Sequence, residues 1–208
     1  MNVSMSRFPL LAPLIAALVL AVPSAASAYR LPADLAPVAG NPAEKLADIG
    51  VDDETYDQAT HCDAKARKGV LAAVRWLERN AAGLSWGVYR CEKWGKGSAS
   101  LHAESRAIDW HPSSKQAATE LIELLLAPDE VGNERALARR MGIQELIWDC
   151  AYWGAGAPQF SNYDYCYGRN GKRKKGLNPT AAHVDHIHIG FTKAGARGRT
   201  SFWRLALG

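Results

Sequence analysis

Much that would decide the class of this protein at once is missing from its sequence. After about residue 22 no apolar run is long enough to cross a bilayer, for which roughly 20 residues are needed. No Cys-x-x-Cys pair occurs, which argues against a cysteine-rich zinc module. There is no internal repeat and no low-complexity tract, so a solenoid or a fibrous chain is excluded. Neither sign of charge dominates. With 25 Lys and Arg against 21 Asp and Glu the formal net charge is +4. That is too mild for a dedicated nucleic-acid binder and compatible with an anionic cell surface.

What is present begins with a targeting pattern. Arg7 precedes an apolar run from about Phe8 to Val22, and Ala26-Ser27-Ala28 follows as a small-residue cleavage site. This is the layout of a secretory signal peptide over residues 1–28, leaving a chain that starts near Tyr29. The competing reading, an uncleaved membrane anchor, is disfavoured by the shortness of the run and by Pro9, Pro13 and Pro23. Removal of 28 residues leaves 208 − 28 = 180, enough for one domain with a real core. Four cysteines then meet an oxidising compartment, where an even count implies two disulfides. Three pairings are possible. Cys62–Cys91 with Cys150–Cys166 is expected, because each bridge closes a short local segment.

Residues 29–60, rich in Pro, Ala, Gly and Asp, have no sustained period and are expected to form an extended leader packed loosely on the domain. From Asp63 to Asn80 apolar residues recur at helical steps, with Asp63 as N-cap and Gly83 as terminator. Leu84–Cys91 reads as a strand, 93–99 as a Gly-rich loop and Ala107–Trp110 as a short strand. A helix capped by Ser113 and Gln116 should run to Leu126, and another should cover Asn133–Met141 with Gly142 beyond it. Ile143–Trp148 reads as a strand. The aromatic, turn-rich stretch 151–182 reads as a long irregular connection, of the kind that is usually functional or disordered. Trp148 and Trp153 are assigned to the core, and its tyrosines either to core or to a groove. Val184–Phe191 is the last strand, and Phe202-Trp203 are placed to dock back.

Two stretches carry chemistry: Ser100-Leu-His-Ala-Glu-Ser-Arg-Ala-Ile-Asp-Trp110 and His183-Val-Asp-His-Ile-His188. Catalytic zinc takes three ligands from His, Asp or Glu and leaves a position for water. His102, Asp109 and His188 are the expected set. On one helix, His102 and Asp109 would stand about 10.5 Å apart along the axis, so a loop feeding a strand brings them together more easily. Ser100 is placed to orient the ring or cap that loop. His186 and His188, two apart on a strand, face one side. Asp185 points away on a straight strand and reaches the site only if the strand bends or begins after it.

Ser100-x-His102-x(3)-Arg106-Ala107-x-Asp109, followed by Asp185-x-x-His188 with His186, resembles the zinc peptidases of the D-alanyl-D-alanine carboxypeptidase group. That group shares its fold with lysostaphin-type endopeptidases and the Hedgehog signalling domain. Met141–Trp148 resembles a subfamily of exported actinobacterial and fungal domains with the same core. The resemblance covers roughly Leu84–Phe191. It implies an α+β fold, with a small antiparallel sheet carrying a zinc site and helices flanking it, over residues 61–208. It implies hydrolysis of peptide bonds in cell-wall peptidoglycan outside the cell, with zinc held by His102, Asp109 and His188. The partner expected is a peptidoglycan peptide or another cell-wall polymer; the mild charge predicts no nucleic-acid partner, signal cleavage predicts no membrane partner, and the mature chain is expected to be a monomer. Asp185 falls on the general-base position, His186 on a second active-site histidine and Arg90 on a substrate-contacting arginine. Ser105 departs from the pattern, because the family usually has glycine there, a residue that marks special backbone geometry. A non-catalytic zinc-containing surface module on the same scaffold is the alternative. A phosphodiester hydrolase is a third reading, disfavoured by a single candidate arginine and the lack of a second carboxylate cluster.

Overall fold

The computed structural model describes residues 49–207. The expected signal peptide and the first part of the expected leader lie outside them. The fold is α+β. After the approach segment 49–60 come helix α1 (Lys68–Asn80), strands β1 (Gly83–Gly87), β2 (Lys93–Gly95) and β3 (Ser98–Ala99), a 3-10 turn (Leu101–Glu104) and β4 (Ala107–Pro112). Then follow α2 (Lys115–Leu126), α3 (Ala136–Met141), β5 (Ile143–Trp148), β6 (Ala151–Gly154) and β7 (Ser161–Asn162). A second 3-10 turn (Asp164–Cys166), β8 (Ile187–Phe191), α4 (Lys193–Ala196) and α5 (Ser201–Leu207) complete the chain. Six strands form one antiparallel sheet in the order β1-β4-β8-β5-β6-β7, and β2 and β3 make a separate hairpin.

The three central strands divide their side chains by the two-residue period of extended backbone. Ile108 and Trp110 of β4, Ile143 and Leu146 of β5, and Ile187, Ile189 and Phe191 of β8 enter one apolar core. The helices cover that face. Val70, Trp76 and Leu77 come from α1, Leu121 and Leu125 from α2, Leu137 and Met141 from α3, and Phe202 and Trp203 from α5. Trp153 joins this core fully and Trp148 packs at its margin. The tail docks as expected, with Trp203 donating its indole N–H to the Met141 carbonyl. Gly142, at φ +71, ends α3 in the left-handed conformation, where a Cβ would also lie 2.7 Å from Gly195 Cα.

Several boundaries move for physical reasons. The first helix starts at Lys68, because Asp63 accepts from the Lys65 amide and pairs with Arg67 instead of capping a helix. Ala81, not Gly83, closes it, and Gly83 opens β1. Ser114 rather than Ser113 caps α2, accepting from the Ala117 amide. The third helix begins only at Ala136. Strand β1 stops at Gly87, which leaves Arg90 on a loop, and 93–99 folds into a hairpin. The 151–182 connection carries β6 and β7, and Cys150–Cys166 closes its first half. Cys62–Cys91 is the other bridge. Both therefore follow the local pairing.

Residues 49–60 are not loosely attached. The amide of Asp57 donates to Gln144 and the side chain of Gln144 donates back to the Asp57 carbonyl. Glu54 accepts twice from Arg135, Thr60 donates its amide to Glu104, and Ala59 bridges to Ala99. This extended segment is a strap across the domain, and the working body begins before residue 61. No described helix is long and apolar enough to cross a membrane.

Candidate metal centre

On the sheet face opposite the helices, Asp109, His188, Glu145 and Ile147 alternate with the core residues of β4, β8 and β5. Register pairs Asp109 with His188 directly across β4 and β8. The 3-10 turn delivers His102 from the side. Ser100 N-caps that turn by accepting from the His102 amide. Ser105 ends it at φ 53, ψ 38, in the left-handed region that favours glycine. The special geometry marked by the glycine of the resembled pattern is thus kept with serine, whose hydroxyl donates to the Asp63 carbonyl.

The donor atoms converge. His102 Nε2 lies 2.9 Å from Asp109 Oδ1 and 3.1 Å from His188 Nδ1, and His188 Nδ1 lies 3.6 Å from Asp109 Oδ1. A tetrahedral shell with bonds of about 2.0–2.1 Å spaces its donors by roughly 3.3 Å. The outer nitrogens explain which atoms face inward. His102 Nδ1 is 2.8 Å from the Val88 carbonyl, which only accepts, so this nitrogen carries the proton. His188 Nε2 is 2.9 Å from the Glu145 carboxylate and donates to it. When each imidazole is neutral, two lone pairs and one carboxylate oxygen meet at a single point, and when a ring is protonated the same nitrogen donates to Asp109. That cluster of buried groups could hold a metal ion.

Charge follows the same geometry in the metal-free protein. Burial opposes ionisation of Asp109, but hydrogen bonds from His102, His186 and His188 overcome it and hold the carboxyl far below its ordinary range. Burial likewise opposes charging of His188, but Asp109 and Glu145 outweigh it and raise its pKa to about 9. Glu145, deeply buried, is kept low by His188 and Tyr56 against the desolvation that would raise it.

The other expected residues fall around this point unequally. His186 Nε2 lies 3.3 Å from Asp109 Oδ1, and its Nδ1 lies 2.7 Å from Asp185 Oδ1. Because β8 starts at Ile187, Asp185 sits before the strand and beside His186, with its second oxygen accepting from Thr180. Burial would raise its pKa, but these bonds lower it. Burial also opposes protonation of His186, yet Asp109 and Asp185 raise its pKa overall. Arg90 reaches Asp109 Oδ2 at 3.4 Å from a half-exposed position, shared with Glu92. A cleft of about 550 Å³ opens here, lined by Arg90, Trp94, Tyr163, Thr180, His183 and His186 among others.

Two residues went unassigned at the level of sequence. Glu145 was visible as a carboxylate inside an apolar strand, a placement that demands a buried partner. His183, at φ 52, sets its ring 4.8 Å from that of His186, tilted by 47°. Burial, with His188 and His186 nearby, lowers its pKa to about 3 and keeps it neutral.

Comparison with known proteins returns no matching family model, no matching curated protein and no matching solved structure.

Proposed function

We propose that this protein is an exported zinc-dependent peptidase acting on peptide bonds of cell-wall peptidoglycan. The observation that carries the reading is the meeting of His102 Nε2, Asp109 Oδ1 and His188 Nδ1 beside an open cleft. Two imidazoles and one carboxylate, with space for solvent, are the donor set of a hydrolytic zinc site. The resemblance of both motifs to D-alanyl-D-alanine carboxypeptidases supports the substrate class. The two disulfides support an oxidising location.

Zinc bound by these three side chains would supply Lewis acidity, polarising a scissile carbonyl and acidifying water. Asp185 and His186 serve as the acid–base pair. His186 presents Nε2 toward the site and, with its pKa raised, holds the proton that passes to the leaving amine, while Asp185 at its Nδ1 accepts from the ring and supports it in that role. Arg90 stands at the mouth, where its planar fork suits a substrate carboxylate or a developing oxyanion. The exposed ring of Trp94 and the half-buried Tyr163 border the same opening.

The test is mass spectrometry of purified peptidoglycan after digestion by zinc-loaded protein, beside a chelated control. Chelator-sensitive shortening of stem peptides identifies a carboxypeptidase, and chelator-sensitive loss of cross-links identifies an endopeptidase. Identical digests in both arms would reject the enzyme and favour the non-catalytic module.

A further inference from the structure

We propose that the strap preceding the domain is part of the metal centre: Tyr56 anchors Glu145, and Glu145 in turn fixes His188 as a donor through Nδ1. The inference rests on the metal reading given above and concerns what holds that site in shape.

The chain of contacts is short and continuous. Tyr56 donates its hydroxyl to Glu145 Oε2 at 2.7 Å, and His188 Nε2 donates to Glu145 Oε1 at 2.9 Å. Each carboxylate oxygen therefore has a donor of its own. One donor comes from the strap and one from the candidate ligand histidine, with Tyr152 of β6 beside the same carboxylate. A carboxylate on the outer nitrogen of a ligating imidazole sets the tautomer and the ring angle, which determine whether the inner lone pair meets the ion.

The sheet is shaped to put Glu145 there. β5 and β8 slip register between Ile143 and Glu145, and the slip brings Glu145 opposite Gly190. A Cβ on Gly190 would lie 2.6 Å from Glu145 Cγ and 2.4 Å from Leu101 Cδ1. Glycine inside a strand marks such close approach. The bare backbone of Gly190 is the space that the Glu145 side chain occupies beneath His188.

Tyr56 is held in place from both sides. Glu54 is clamped by Arg135, while Asp57 exchanges two hydrogen bonds with Gln144 and accepts from Arg106. Gln144 and Glu145 are consecutive, so the strap grips β5 at the very residue beside the one it orients. The Tyr56 ring is about half exposed while its hydroxyl reaches a buried carboxylate. A merely covering residue would need no such bond.

Zinc affinity by chelator competition and the visible spectrum of the cobalt-substituted protein test this in the full chain, for the wild type, Tyr56→Phe, Glu145→Gln and the double variant. Glu145→Gln should weaken zinc binding by about 10- to 100-fold and shift the cobalt bands. Tyr56→Phe, which keeps the ring, should weaken it several-fold, and the double variant should be no weaker than Glu145→Gln alone. If Glu145→Gln does not fold, Tyr56→Phe carries the test. Affinities and spectra unchanged in variants that merely melt at lower temperature would reduce Tyr56 and Glu145 to structural contacts and overturn the inference alone. A wild type that binds neither zinc nor cobalt would overturn the metal reading and this inference with it.

Discussion

The two faces of the same three strands obey different rules. On the helical face, Ile108, Trp110, Leu146, Ile187, Ile189 and Phe191 share one core, and each is stabilised by apolar area removed from water. On the opposite face, Asp109, Glu145 and His188 are also buried, yet none is stabilised by burial. Each depends on a named partner, since a buried charge without one costs several kcal/mol or more. The first face is additive and forgiving of shape-conserving change. The second is a closed set in which every proton has an assigned position, and its members fail together.

That contrast can be sharpened by experiment. Asp185→Ala should leave zinc bound, since Asp185 touches none of the three donor residues' inner atoms, and should lower turnover on muropeptides by roughly a thousandfold, a full acid–base contribution. Metal analysis and a rate assay check it, and normal turnover would remove Asp185 from the mechanism. On the other face, Leu125→Ala should cost about 3 kcal/mol, read by denaturant titration, with zinc affinity of the folded protein unchanged. An altered affinity would mean that the faces are coupled.

The pH response differs between the two forms of the protein. His188 is raised from an ordinary value of 6.5 to about 9 in the metal-free fold. The folded state then keeps a proton that the unfolded state releases. The contribution, up to about 3 kcal/mol, is fully present below pH 6.5 and is lost as pH rises through 9. Metal binding needs the neutral imidazole, so apparent zinc affinity should increase over the same interval, with about one proton released per ion near pH 7.5. Calorimetry in buffers of different ionisation enthalpy measures that proton. The smallest effect belongs to the exposed pair of Arg173 with Asp149, where Arg173→Ala should change stability by less than about 1 kcal/mol.

What could be read from sequence follows the same division. The apolar alternation of β8 is a local pattern with period two and appears in the structure; His186 precedes the strand, yet it and His188 both come close to Asp109. The candidate donor set was also legible: His102, Asp109 and His188, drawn from two short stretches, come together in the structure as a group that could hold a metal ion. The strap was not. Its order comes from Gln144 and Glu104, which lie 87 and 44 residues from the amides they accept from, and no local period encodes such bonds. The start of β8 lies at Ile187, three residues after the expected Val184, for a similar reason. Asn178–Val184 closes a series of tight turns, and His183 takes a positive φ, which a β-type composition does not announce. Glu145 showed its anomaly but not its partner, since Tyr56 and His188 reach it from segments 89 and 43 residues away.

The most direct test of the whole account is the zinc content of the purified protein after exhaustive dialysis against buffered zinc, for the wild type and for Asp109→Ala. One tightly held ion per wild-type chain and none in Asp109→Ala is the result required. A wild type without metal, or an Asp109→Ala protein that still holds its ion, would contradict it.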